Sequence, residues 1–196
     1  IPAATAVRVD YNGPVPAVAA ATDTFPPIGT YFNPPTVRSH YGNGVIARGF
    51  RHIIKLPILL GPPPCLTCPP EVYDFGTTLS FEYSIDGGQM FQSMSIPVQT
   101  RASARHSEDT SDTRFFDTEM LSLQIVNGGP GFMLRESPTK ASLGRTSILQ
   151  RPPSQGGFMI DSFFDIFTDL SIDGGKTWSP VVDPTHLELQ NNAAGQ

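Results

Sequence analysis

Apolar and polar residues alternate along much of this chain with a period of two, the period of a half-buried β-strand. Leu79, Phe81, Tyr83 and Ile85 alternate with Ser80, Glu82 and Ser84. Phe164, Ile166, Thr168, Leu170 and Ile172 share one face of the strongest such run. Phe50, His52, Ile54 and Leu56 predict another strand, which Pro57 confines to a sheet edge or a strand end. Met90–Val98 predicts the return strand of a hairpin. Within Phe115–Val126, Leu121, Leu123 and Ile125 alternate as in a strand, while Phe116, Met120 and Leu123 also suit a helix face. Shorter strands are predicted at 132–137, 145–150 and 185–189, and the polar stretch 99–114 reads as an exposed loop. No long, well-capped helical pattern occurs. The prediction is an all-β protein of antiparallel sheets packed as a β-sandwich.

One phrase is written twice. Ser84-Ile-Asp-Gly-Gly returns 87 residues later as Ser171-Ile-Asp-Gly-Gly, each copy after an alternating strand, with Phe91 or Trp178 five residues beyond the aspartate. An Asp-Gly pair is a strong hairpin signal. The glycines at 87, 88, 174 and 175 tolerate positive φ, and Asp86 and Asp173 can accept hydrogen bonds from their own turns. The aromatic is expected to fold beneath each turn and plug the end of the core. The offset hints at an internal duplication of the region 36–196 into 36–110 and 111–196, although two copies of one hairpin grafted onto a single sandwich would look the same.

The phrase resembles the Asp-box, Ser-x-Asp-x-Gly-x-Thr-Trp, of bacterial neuraminidases. Ser171, Asp173, Gly175, Thr177 and Trp178 match it throughout; Ser84, Asp86, Gly88 and Phe91 match, with Met90 in place of the threonine. In that family the boxes are hairpins away from the catalytic centre, so the resemblance implies a hairpin and not glycoside hydrolysis. A neuraminidase propeller also needs nearly twice this length. Residues 115–180, with FDTEML, RESPT and DSFFDIFTDLSIDGGKTW, are similar to a domain of uncharacterised secreted bacterial proteins. That resemblance implies an extracellular setting and no particular activity.

Residues 1–35 are of a different kind. Thr5, Val7, Val9 and Tyr11 would share one face of an extended strand, and prolines at 14, 16, 26, 27, 34 and 35 favour extended chain. A linker of about twenty such residues spans ~60 Å at ~3.1 Å per residue. This segment is expected to be an arm that donates its strand, through Thr5, Val7, Val9 and Tyr11, to a neighbouring copy. Composition agrees with many short strands and turns: 18 Gly, 20 Pro, 13 Phe and only 16% charged residues. A net charge of −5 argues against nucleic acid as a partner. Residues 1–60 carry five basic and two acidic side chains, and the remainder eight and sixteen, so opposite charge is available for contact between copies. No stretch approaches the ~20 apolar residues of a membrane helix. A start at Ile1 is compatible with a mature, secreted chain.

Candidate chemistry is sparse. Cys65 and Cys68, between two proline-rich stretches, suit a small disulfide clip; free thiols and a metal or redox pair are the alternatives. The histidines at 40, 52, 106 and 186 are scattered, and Glu108, Asp109 and Asp112 lack the spacing of a calcium loop. Asp165, Asp169 and Asp173 are candidates to pair with arginines. No nucleophile elbow, phosphate-binding loop or His-Glu-x-x-His occurs, so no catalytic residue, cofactor or metal is expected. The functional expectation is a structural subunit of an extracellular filament, its partners copies of itself. The alternative is a secreted carbohydrate-binding or adhesive module that presents Tyr31, Phe32, Tyr41 or Tyr73 to glycans.

Overall fold

A computed structural model describes residues 27–54, 65–125, 131–152, 154 and 158–190. The strands in chain order are β1 (Gly29–Phe32), β2 (Arg38–His40), β3 (Ile46–Ile54), β4 (Glu71–Ser84), β5 (Gln92–Asp109), β6 (Thr113–Ile125), β7 (Met133–Glu136), β8 (Ser142–Gln150), β9 (Phe158–Ile166), β10 (Thr168–Ser171), β11 (Ser179–Pro180) and β12 (Thr185–Leu189). The chain is all-β and every pairing is antiparallel.

The predicted sandwich layering is not what the hydrogen bonds describe. Strands β3, β4, β5, β6, β8, β9, β12 and β1 pair in that order, and β1 returns to β3, so eight strands close into a barrel. Closure removes sheet edges that a sandwich leaves open. The remaining strands extend one end of it: β7 joins β6 and β10, β11 joins β10, and β2 joins β3. Tyr41 bridges Val181, which ties the β2 side to the β11 side.

The interior is filled by side chains from every wall. Phe50 stacks on Phe81 with ring centroids 5.0 Å apart, and Tyr31 meets Phe164 edge-on at 5.8 Å. An interior pocket lined by Phe50, His52, Leu79, Leu123, Leu134, Ile166 and Leu187 measures about 10 Å³. That holds one water at most, so the space around these residues is packed core and not a ligand cavity.

Several local expectations change. The predicted loop 99–114 is mostly strand, because β5 runs to Asp109 and β6 begins at Thr113. Its inward positions are Thr100, Ala102, Ala104 and His106, all buried but small or polar, so the alternation leaves no hydrophobic signal. Over Phe115–Ile125 the strand reading holds, and Val126 lies outside the described residues. Arg101 pairs Ser122 while Ala102 pairs Met120, so Leu121 is the extra residue of a bulge. The bulge moves the inward set from Phe116, Thr118 and Met120 to Leu123, which is why the spacing also looks helical. Ile85 and Ile172 are exposed, not inward, because each lies past its strand end in the turn. The run 158–172 divides at Phe167, whose backbone N–H donates to Ser142 Oγ, and passes from β9 beside β8 to β10 beside β7.

β1 belongs to the barrel, so the arm boundary drawn at residue 35 falls beyond a strand that pairs with β3 and β12. The donor positions Thr5, Val7, Val9 and Tyr11 lie outside the described residues.

Candidate functional site

The repeated phrase builds two turn stations at one end of the barrel. In the first, Ser84 donates from Oγ to Asp86 Oδ1, and Gly88 N–H donates to Ser84 Oγ at 2.9 Å. Asp86 Oδ1 also accepts from the N–H groups of Gln89 and Met90 at 3.0 and 3.1 Å. In the second, Ser171, Asp173, Gly175, Lys176 and Thr177 repeat the pattern, and Thr177 Oγ1 adds a bond to Asp173 Oδ2 at 2.6 Å. The donors converge on carboxylates: the Ser84 hydroxyl and the Met90 N–H hold Asp86 below its usual pKa, and the Thr177 hydroxyl and N–H hold Asp173 well below it. Gly87, Gly88, Gly174 and Gly175 all have positive φ, between 74° and 90°. The boxes are therefore self-satisfied turns, with their aspartates committed to backbone and hydroxyl donors.

Each station is larger than the phrase. Gly87 N–H donates to Gly44 O at 3.0 Å, and Gly174 N–H to Gly131 O at 2.9 Å. Ile46 pairs Ser84, and Met133 pairs Ser171. Arg48 donates from Nε to Glu82 at 2.8 Å and lies 3.7 Å over the Phe91 ring. Arg135 contacts Asp169 at 3.1 Å and lies 4.0 Å over Trp178. Every equivalent pair is 87 residues apart, including Arg48 and Arg135, and Glu82 and Asp169. The segment Gly42-Asn-Gly-Val-Ile-Ala-Arg corresponds to Gly129-Pro-Gly-Phe-Met-Leu-Arg, a match that a comparison at the same offset finds in the sequence and that a reading limited to the hairpins misses. Phe91 and Trp178 do not plug the core: both are half-buried under an arginine.

Trp178 is the chain's only tryptophan and reports on this sandwich. Asp169 is nearly buried, so Arg135→Met leaves a carboxylate without its cation while keeping apolar contact with the ring. The expected loss is about 2 kcal/mol, read as a lower urea midpoint with a shifted Trp178 emission. An unchanged midpoint and spectrum would show that the arginine is a bystander.

Other candidates resolve into structural roles. Cys65 and Cys68 are joined as a disulfide, which suits a non-reducing compartment. Tyr31, Tyr41 and Tyr73 are core residues, and Phe32 is half-buried, so the proposed glycan platform loses its aromatics. Tyr31 donates to Ser162, and Tyr41 shares a 2.7 Å hydrogen bond with Thr168. Of the aspartates proposed to meet arginines, Asp169 does; Asp165 instead accepts from His186, at 2.7 Å. Glu108 takes Arg145, and Asp109 takes His106. Among the described residues no group of three or more His, Cys, Asp or Glu is placed to hold a metal ion, and no helix is long and apolar enough to cross a membrane.

The end that carries the boxes also carries a sheet margin. β5 pairs β4 from Gln92 onward, but it pairs β6 only from Val98. Gln92–Pro97 therefore pairs on one side only among the described residues. Beside this margin a shallow groove of about 450 Å³ crosses the outer face over Gly49, Arg51, Ser80, Glu82, Ser93 and Ser95. At the opposite end β1 enters the barrel, with the Tyr31 hydroxyl oxygen 3.3 Å from Pro27 O. No family model, curated protein or solved structure matches this chain.

Proposed function

We propose that this chain is a structural subunit of an extracellular filament, in which the N-terminal arm of one copy adds as a strand to the β5 margin of the next. The observation that carries the proposal is the placement of the two parts. The arm joins the barrel where β1 enters, at the end opposite the boxes, and the Gln92–Pro97 margin lies at the box end. A donor at one end and an acceptor at the other make a head-to-tail contact that does not close on itself, and such contacts propagate. Strand addition satisfies backbone donors and acceptors on both partners. Met94 and Ile96 are partly buried against the core beside this margin, and the alternating Thr5, Val7, Val9 and Tyr11 offer a matching apolar face. A Cys65–Cys68 disulfide fits assembly outside the reducing cytosol. The resemblance of residues 115–180 to secreted bacterial proteins points the same way.

Removal of residues 1–12 is the test. The full chain is expected to form filaments visible by negative-stain electron microscopy. The truncated chain is expected to stay monomeric by analytical ultracentrifugation with an unaltered β-sheet circular dichroism spectrum. Filaments of normal length from the truncated chain would remove the arm from the mechanism.

A further inference from the structure

A bulge in β3 lays out a polar array on the outer wall of the barrel. Between Arg48 and Arg51 the strand slips by one residue against β4, with Gly49 at φ 62°. Arg48 pairs Glu82 and Arg51 pairs Ser80. Residues three apart would face opposite sides of a regular strand; the bulge turns both arginines outward. β5 completes the rows, with Ser95 opposite Ser80 and Ser93 opposite Glu82. The array is therefore Arg51–Ser80–Ser95 beside Arg48–Glu82–Ser93, ~10 Å across the three strands and ~7 Å along them. Gly49 adds no side chain to it, and the groove of about 450 Å³ lies there, with Pro35 as one wall. Small-molecule sites span roughly 300–1,000 Å³.

Its polar groups are free to bind something else. Arg48, Arg101, Arg105, Arg114, Arg135 and Arg145 each lie within 3.9 Å of a carboxylate. Arg38 lies over the Phe91 ring, and Arg151 contacts Met159. Arg51 alone of the described arginines has no ion pair, hydrogen bond or ring contact among the described residues. The hydroxyls of Ser80, Ser93 and Ser95 have no side-chain or backbone partner among them either. Glu82 gives Oε2 to Arg48 at 2.8 Å and keeps Oε1 as an acceptor. That pair is neutral, so the net charge of the array is the one positive charge of Arg51.

We infer that this groove binds a carboxylated saccharide, a hexuronate unit with its carboxylate on Arg51 and its ring hydroxyls over Glu82, Ser80 and Ser95. The charge pattern selects the class. The ligand must carry negative charge for Arg51 and hydroxyls that both donate and accept, for Glu82 and the serines. Phosphate and simple carboxylates offer Glu82 no donor, and a cationic side chain meets net positive charge. The site needs none of the buried tyrosines. It goes beyond the filament reading and does not depend on it, since strand addition uses the backbone edge of β5 and leaves the outer face open. In a polymer of subunits the site repeats once per copy, which raises avidity for a chain of uronates.

The test is isothermal titration calorimetry of the full-length chain with digalacturonate at low ionic strength. A Kd of about 1 mM is expected. Cellobiose, which lacks the carboxylate, and acetate, which lacks the hydroxyls, are each expected to bind at least about tenfold more weakly. Arg51→Gln is expected to weaken digalacturonate binding by about tenfold or more, and Ser95→Ala by a few-fold, both at unchanged melting temperature. Arg101→Gln, which removes an exposed arginine of β5 outside the groove, is expected to leave binding unchanged. No heat of binding from digalacturonate, an affinity no better than that of acetate, or unchanged affinity in both groove variants would overturn the site. Equal weakening by Arg101→Gln would also overturn it, since general attraction to positive charge would then account for the binding. None of these results bears on filament formation.

Discussion

Replacement of Gly144 by alanine is expected to destabilise the barrel by about 3 kcal/mol and lower its melting temperature by roughly 10 °C. β8 is the strand that closes the barrel, pairing β6 on one side and β9 on the other. Gly144 stands opposite both Thr118 and Phe164. Its inward neighbours along the strand, Ser142, Thr146 and Ile148, are all buried. A Cβ at 144 would run into the backbone carbonyl oxygen of Phe163, and would lie 2.7 Å from Thr118 Oγ1 and 2.8 Å from the Phe164 ring. The carbonyl belongs to the β9 backbone that pairs with β8, so relief requires the two strands to part. Alanine also stiffens the unfolded chain, but that gain is only about 0.4–1 kcal/mol. Gly174→Ala is the contrast. Gly174 has φ of 75° and nothing within 4 Å of the added carbon, so its cost is backbone conformation alone, about 1–2 kcal/mol. Thermal denaturation of the two variants separates steric exclusion from conformational preference. Equal melting temperatures for Gly144→Ala and the parent would contradict the packing.

What the sequence disclosed followed how strongly each feature is encoded locally. The strands through Phe81 and Ile166 were legible because large apolar side chains alternate there. The two turns were legible because Ser, Asp and Gly each perform a backbone task at a fixed position. β5 beyond Thr100 was not, since its buried inward residues, Ala102, Ala104 and His106, are small or polar. Small inward residues and polar outward ones look like a loop. The glycan platform failed for a related reason: a tyrosine buries its ring as readily as it exposes it when a partner such as Ser162 or Thr168 takes the hydroxyl. Barrel closure rests on β1 with β12 and β6 with β8, pairings far apart in the chain that no local pattern announces. The arginine–aromatic–carboxylate sandwich was legible in principle, because Arg48 and Arg135 keep the same offset as the boxes. It went unread because the stretches that carry it precede the repeated words by some forty residues.

The acid limb of the stability profile should belong to His52, whose own contribution falls by about 3 kcal/mol between pH 6.5 and pH 4. His52 is buried beneath Phe50 and Leu79, and its Nε2 meets Thr77 Oγ1 at 2.6 Å and Thr100 Oγ1 at 3.4 Å. Burial without a carboxylate partner pushes its pKa from 6.5 down to about 4. Below pH 6.5 the unfolded chain takes up a proton that the folded chain refuses, so stability falls with pH until the folded-state value is passed. Glu136 works in the opposite sense. Burial beside β10, with Glu119 and Asp169 nearby, raises its pKa to about 7, while the hydroxyl of Ser142 partly offsets the rise. Between pH 4.5 and 7 the unfolded chain releases this proton before the folded chain does, so stability contributed by the neutral carboxyl is lost as pH rises. The two slopes oppose each other between about pH 4.5 and 6.5, and the parent should show a flattened profile there. Urea midpoints measured from pH 4 to 8 separate them. His52→Leu should abolish the fall toward pH 4, since Thr77 and Thr100, 3.3 Å apart, can bond each other across the vacated ring position. Glu136→Gln keeps an acceptor for Ser142 and should raise the midpoint above pH 7 while leaving the acid limb intact. A His52→Leu profile that still falls steeply between pH 6.5 and 4 would overturn this assignment, and the box carboxylates would not explain the fall, since their bound forms are lost only below their ordinary pKa.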